Sequence, residues 1–75
     1  MEKSEEWGMV QELLEMIDDL NADQQGFVQE LFDYLDPYQP FLDQKSEKSL
    51  DWLITLHEYY VNGNEEAFEE WDESA

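Results

Sequence analysis

"DLNADQQGFVQE", Asp19 to Glu30, admits two incompatible backbone readings, and the fold turns on which one holds. Oxygen-bearing side chains occupy its first, third, fifth and twelfth positions (Asp19, Asn21, Asp23, Glu30), a spacing that suits an ion-holding loop. Asn21 is also followed three residues later by Gln24 and then by the apolar Phe27, Val28 and Leu31, the pattern of a capping box opening a helix. A helix starting at Ala22 places Asp23 and Glu30 two turns apart, about 10 Å along the axis, too far to share one ion. Capping explains Asn21, Gln24 and the apolar face together.

Worked outward from that cap, the helix runs from Ala22 to Leu35. Its apolar face is Phe27, Val28, Leu31, Phe32 and Leu35, with Asp23, Glu30 and Asp33 on the other side. Asp36-Pro37 ends it, because proline disfavours helical geometry in the residue before it. Upstream, Ser4 caps a helix whose first turn carries Glu5 and Glu6 at the positive end of the dipole. That helix is expected to reach about Leu20. Trp7, Met9, Val10, Leu13, Leu14, Met16, Ile17 and Leu20 share one broad arc, and Glu12, Glu15 and Asp19 form a narrow carboxylate stripe opposite.

Downstream, "DPYQPFLDQK" reads as a connector whose Tyr38, Phe41 and Leu42 lie over the open end of the core. A third helix follows over Ser46 to Val61. Its polar residues, Asp51, Thr55, Glu58 and Asn62, fall in one narrow stripe, and nearly everything else is apolar, so the helix must be surrounded. Two arrangements satisfy this: it is the central helix of a bundle, or its Trp52, Leu56 and Tyr59 side is left for a partner, including a second copy of the chain. Asn62-Gly63 stops this helix, and Asn64 caps a short fourth one, "EEAFEEWDE", with Ala67, Phe68 and Trp71 on a common face. The pattern has no strand signal. The fold class is all-α: a compact bundle of three main helices plus a short C-terminal fourth, in one domain spanning residues 1–75.

A chain of 75 residues buries roughly 60 to 65% of its unfolded surface, so each apolar residue matters. It has no Cys, which excludes disulfides, thiolate metal sites and a thiol nucleophile. Asp plus Glu number 21 against 3 Lys and no Arg, for a formal net charge of −18. Such a charge favours disorder, but 41% hydrophobic and 15% aromatic residues are too many for a solvated tail. Direct nucleic-acid binding is not expected where Lys and Arg are nearly absent. Cationic partners are favoured instead.

No stretch approaches a membrane span and "MEKSEEWGMV" lacks a secretory pattern, so a soluble, cytoplasmic protein is expected. Nor is an enzyme. The single His57 lies in the apolar arc of the third helix, and no Ser-His-Asp set, Gly-rich phosphate loop or zinc-binding helix motif is present. No cofactor is expected apart from the calcium alternative below.

Asp19, Asn21, Asp23 and Glu30 resemble the ligand pattern of an EF-hand loop, with the Gln25 carbonyl in the seventh place. The resemblance covers these twelve residues and departs from the family at the sixth, where Gln24 replaces the usual Gly. It implies a small calcium-binding protein, with Asp33, Asp36 and Asp43 as a second oxygen-rich group.

The other resemblance is compositional. In carboxylate rows such as Glu12/Glu15/Asp19 and Asp23/Glu30/Asp33, neighbours three or four residues apart stand roughly 5 to 6 Å from one another, the order of phosphate spacing along a nucleic-acid strand. With "QELLEMIDD" and "NEEAFEEWDE", the chain is similar to the small acidic DNA-mimic inhibitors of bacteriophages and mobile elements. That likeness implies an inhibitor occupying the basic surface of a DNA- or RNA-binding protein or nuclease, in the host cytoplasm if phage-encoded. Its contact residues would be those rows with Asp36, Glu65, Glu66, Glu69, Glu70, Trp71, Asp72 and Glu73. Exposed aromatics, Tyr34, Tyr38 and Trp71, with Trp52 and Tyr59 if their face is open, would add affinity that rim charges do not supply.

Overall fold

A computed structural model of the protein describes residues 3–70. Its order is α1 (Glu5–Glu15), a 3₁₀ turn (Ile17–Asp19), α2 (Ala22–Tyr34), a second 3₁₀ turn (Phe41–Asp43), α3 (Glu47–Tyr60) and α4 (Ala67–Glu70). Among the described residues there is no strand, and the class is all-α.

Each main helix starts where its cap dictates. Ser4 Oγ accepts the Trp7 N–H at 3.3 Å, and Ser46 Oγ accepts that of Ser49 at 3.2 Å. At α2 the capping box is complete: Asn21 Oδ1 accepts the Gln24 N–H at 2.9 Å, and Gln24 Oε1 accepts the Asn21 N–H at 3.1 Å. Such a cap stabilises a helix by about 1 kcal/mol.

α1 stops at Glu15 instead of continuing to Leu20. Met16 leaves helical geometry (φ −118, ψ 29), and the chain tightens through Asp19 N–H to the Met16 carbonyl (2.9 Å) and Leu20 N–H to the Ile17 carbonyl (3.1 Å). Glu15, Asp18 and Asp19 would load acid onto the negative end of a longer helix. Gln25 Nε2 also donates to the Ile17 and Leu20 carbonyls, both at 2.9 Å, satisfying groups that the early end exposes. The turn buries Leu20 and leaves Asp18 and Asp19 outside.

α1 packs against both α2 and α3, and α3 packs further against α4 and the Phe41–Asp43 turn, which makes α3 the central helix. Val10 and Leu13 from α1, Val28 and Leu31 from α2, and Leu53 and Leu56 from α3 are fully buried at the centre. Each contributes roughly 1.5 to 3 kcal/mol by leaving water. Trp7 stacks on Phe32 with centroids 5.3 Å apart, closing one edge between α1 and α2.

Two features of α3 differ from its sequence pattern. Thr55, placed in the polar stripe, is buried, because its hydroxyl donates to the Asp51 carbonyl at 2.8 Å and needs no water. Ile54 is exposed instead. The helix ends at Tyr60, and three residues on Gly63 takes a φ of +75°, the left-handed conformation that turns the chain away after a helix C-terminus.

Between α2 and α3 the chain folds around Gln44. Its Oε1 accepts the Asp36 N–H at 2.6 Å, and its Nε2 donates to the carbonyls of Asp36 (3.1 Å), Gln39 (3.3 Å) and Pro40 (3.3 Å). The Ser4 N–H donates to the Pro37 carbonyl at 2.8 Å, tying the loop to the start of α1. Of the three side chains expected over the core, only Phe41 is buried. Tyr38 and Leu42 point outward, because Phe41 is turned in as the first residue of the 3₁₀ turn and its neighbours face away.

Candidate functional site: the acidic surface

Glu12 and Glu15 are exposed on α1, and Asp23, Glu30 and Asp33 are exposed on α2. Within α1, Glu12 and Glu15 are three residues apart, as are Glu30 and Asp33 within α2, which puts each pair about 5 to 6 Å apart at Cβ. Asp19 is exposed but does not continue the Glu12/Glu15 row, since the helix breaks at Met16 before reaching it. Asp36 follows α2, and its Oδ1 accepts the Tyr38 N–H at 2.9 Å. Glu65 and Glu66 are exposed ahead of α4, Glu69 is exposed on it, and Glu70 is its last residue. Trp71, Asp72 and Glu73 lie outside the described residues.

Counter-charges are few. Lys45 Nζ sits 3.2 Å from Glu30 Oε1, and His57 Nε2 lies 3.3 Å from Glu12 Oε2. Three lysines paired one to one would neutralise only 3 of the 21 acids, leaving 18. At physiological salt such a field decays over about 8 Å, so a basic body must come close before it is felt strongly.

Of the two backbone readings of Asp19–Glu30, the structure takes the capped helix. Asp23 and Glu30 both stand on α2, about 10 Å apart along its axis. Asn21 Oδ1 is engaged by its own helix, Glu30 by Lys45. Among the described residues no group of three or more His, Cys, Asp or Glu side chains is placed to hold a metal ion, and this includes Asp33, Asp36 and Asp43. The window is instead a structural joint. Gln24 Oε1, already accepting the Asn21 N–H, also accepts the Tyr60 hydroxyl at 2.7 Å, so one buried amide ties α2 to α3. Tyr60 ionises above its ordinary value, chiefly because burial disfavours the phenolate.

The face formed by Trp52, Leu56 and Tyr59 is met from within the chain. Leu56 is fully buried in the chain's own core. Trp52 and Tyr59 pack on Phe68 of α4, with centroids 5.6 and 4.4 Å away. Contacts within the chain therefore engage all three residues. His57 is half-buried at the edge between α3 and α1, with its ring directed at Glu12, instead of enclosed in the core.

Two features were not read from the sequence. An open groove of ≈ 450 Å³ lies between the first turns of α2 and α3, floored by Phe27 and Trp52, with Asp23 and Lys48 among its lining residues. One acid and one base there balance, so it is not part of the acidic display. The second is the Gln44-centred loop. Its only sequence signal is a glutamine after two prolines. Among the described residues no helix is long and apolar enough to cross a membrane. Comparison with protein-family models, curated proteins and solved structures finds no match to this chain.

Proposed function

We propose that this chain is a non-enzymatic acidic binding protein that mimics nucleic acid and occupies the basic nucleic-acid-binding surface of a partner, inhibiting it. The partner class is a DNA- or RNA-binding protein or a nuclease, met in the cytoplasm, that of the host if the chain is phage-encoded. The observation that supports this reading is the exposure of Glu12 and Glu15 on α1 and of Asp23, Glu30 and Asp33 on α2, on helices whose opposite faces are committed to the core. The carboxylates are thereby carried on a folded body instead of a flexible tail, and the pairs Glu12/Glu15 and Glu30/Asp33 have spacings of the same order as strand phosphates. Attraction within the screening distance would accelerate encounter with a basic cleft, and occupancy would exclude its nucleic acid.

The test is competition. A protein captured on the immobilised chain is purified, and its affinity for the chain is measured from 50 to 300 mM salt with and without duplex DNA or RNA. The expected result is a loss of affinity of at least about ten-fold across that range, with displacement by nucleic acid. Affinity indifferent to salt overturns the reading.

A further inference from the structure

Among the described residues, four of the five exposed large hydrophobic side chains fall within residues 32–42: Phe32 (44% exposed), Tyr34 (59%), Tyr38 (52%) and Leu42 (57%). The fifth, Ile54, is on α3. Three exposed carboxylates, Asp33, Asp36 and Asp43, interleave with them. Elsewhere among the described residues no aromatic side chain is exposed. Here it alternates apolar and anionic groups.

The segment is also held in shape. Leu35 and Phe41 are buried anchors on either side of the bend, four hydrogen bonds converge on Gln44, and the Pro37 carbonyl is tied to Ser4. Little ordering remains to oppose binding when Tyr38 and Leu42 meet a partner. The chain itself displays the chemistry such a surface accepts: Lys45 Nζ lies 4.5 Å over the centroid of the Tyr34 ring while pairing with Glu30. A cation seated on a tyrosine face beside a carboxylate is a recognition unit for a basic side chain, and a planar guanidinium fits it better than an ammonium.

We propose that the 32–43 segment is the docking surface for an arginine-bearing face of a basic protein, with Tyr38, Leu42 and the part of the Tyr34 ring that Lys45 leaves exposed stacking on and packing against its side chains and Asp33, Asp36 and Asp43 pairing with the guanidinium groups. This rests on the acidic-mimic reading and names the part of the surface where affinity is concentrated. The carboxylate rows of α1 and α2 then steer approach, while this segment sets how tightly the partner is held.

Two fluorescent peptides, deca-arginine and deca-lysine, serve as probes of the full chain at physiological salt. Deca-arginine is expected to bind about ten-fold tighter than deca-lysine, since guanidinium stacks on aromatic rings and ammonium does so poorly. Amide chemical-shift changes are expected to concentrate in residues 32–43. Tyr34→Ser combined with Tyr38→Ser keeps the net charge and is expected to abolish the arginine preference, with helix content unchanged by circular dichroism. If both peptides bind equally, with shifts spread over Glu12, Glu15 and Asp23 and the double variant unaffected, the docking proposal is overturned and the mimic reading stands. If neither peptide binds, both fall.

Discussion

The Tyr60 hydroxyl on α3 and the Gln24 amide of α2 are 2.7 Å apart, and the oxygen they share also closes the capping box at Asn21. A single buried acceptor thus serves both the start of one helix and its attachment to another. Gln24→Ala removes both bonds and leaves the Tyr60 hydroxyl without its acceptor, which should cost about 1 to 3 kcal/mol. Tyr60→Phe removes only one partner of the pair and should cost about 0.5 to 1.5 kcal/mol. Urea denaturation of the two single variants and the double variant should give a non-additive cycle. Additivity would show that the two residues act independently.

The same tyrosine makes stability sensitive to alkali. Its ionisation is displaced above the ordinary value of 10.0 by burial first, then by Tyr59, against the lowering effect of the Gln24 hydrogen bond, with Asp19 adding to the rise. A group that holds its proton more tightly in the folded state contributes stability that is fully present below its unfolded pKa. That contribution is lost as pH rises through the folded one. The urea midpoint should therefore fall above about pH 10, and the fall should be shallower in Tyr60→Phe. Identical alkaline profiles for the two proteins would remove Tyr60 from the account.

Helix starts are legible in the sequence because their cause is local: Ser4, Asn21 and Ser46 each cap with a residue three positions on. The end of α1 is not legible in the same way. It depends on Gln25 reaching back eight residues to Ile17, a contact that no hydrophobic periodicity encodes. Thr55 defeats the polar-stripe reading for a related reason, since its hydroxyl is satisfied by its own helix. The exposure of acids such as Glu12, Asp23 and Asp33 is foreseeable from the cost of burying charge. The outward turn of Leu42 is not, because an apolar connector does not say which of its residues the Phe41–Asp43 turn faces inward.

Two glycines should respond in opposite directions. Gly26 lies inside α2, exposed, with open space where a Cβ would stand. Gly26→Ala should raise stability by about 0.5 to 1 kcal/mol, by restricting the unfolded chain and favouring the helix. At Gly63 space is also open, but φ is +75°. Gly63→Ala should lower stability by about 1 to 2 kcal/mol, because a Cβ strains that conformation. Thermal midpoints of the two variants check both signs, and a gain at Gly63 would contradict its left-handed geometry.

Calorimetry separates the capping box from an ion site. Calcium titrated into the chain in physiological salt with millimolar magnesium should give heats no larger than diffuse counterion binding, and Glu30→Gln should leave them unchanged. Asn21→Ala should instead lower stability by about 1 kcal/mol through the lost cap, with or without calcium. A stoichiometric calcium heat abolished by Glu30→Gln would require the first turns of α2 to unwind, because only then could Asp23 and Glu30 approach one ion.

Added salt should stabilise this fold. In a chain of formal charge −18, intrachain repulsion works against the compact state, and ions screen it. The attractive pairs that salt would also weaken are minor by comparison: Lys45 with Glu30 at the surface contributes at most about 1 kcal/mol. Raising sodium chloride from 20 to 500 mM shortens the screening length from roughly 20 Å to about 4 Å, comparable to or less than the spacing between neighbouring carboxylates on one helix. The urea midpoint should therefore climb steadily over that range, while affinity for a basic partner falls. Opposite salt responses of stability and binding are what the proposed mimic function predicts. A midpoint that dropped with salt would mean that attractive pairs outweigh the repulsion.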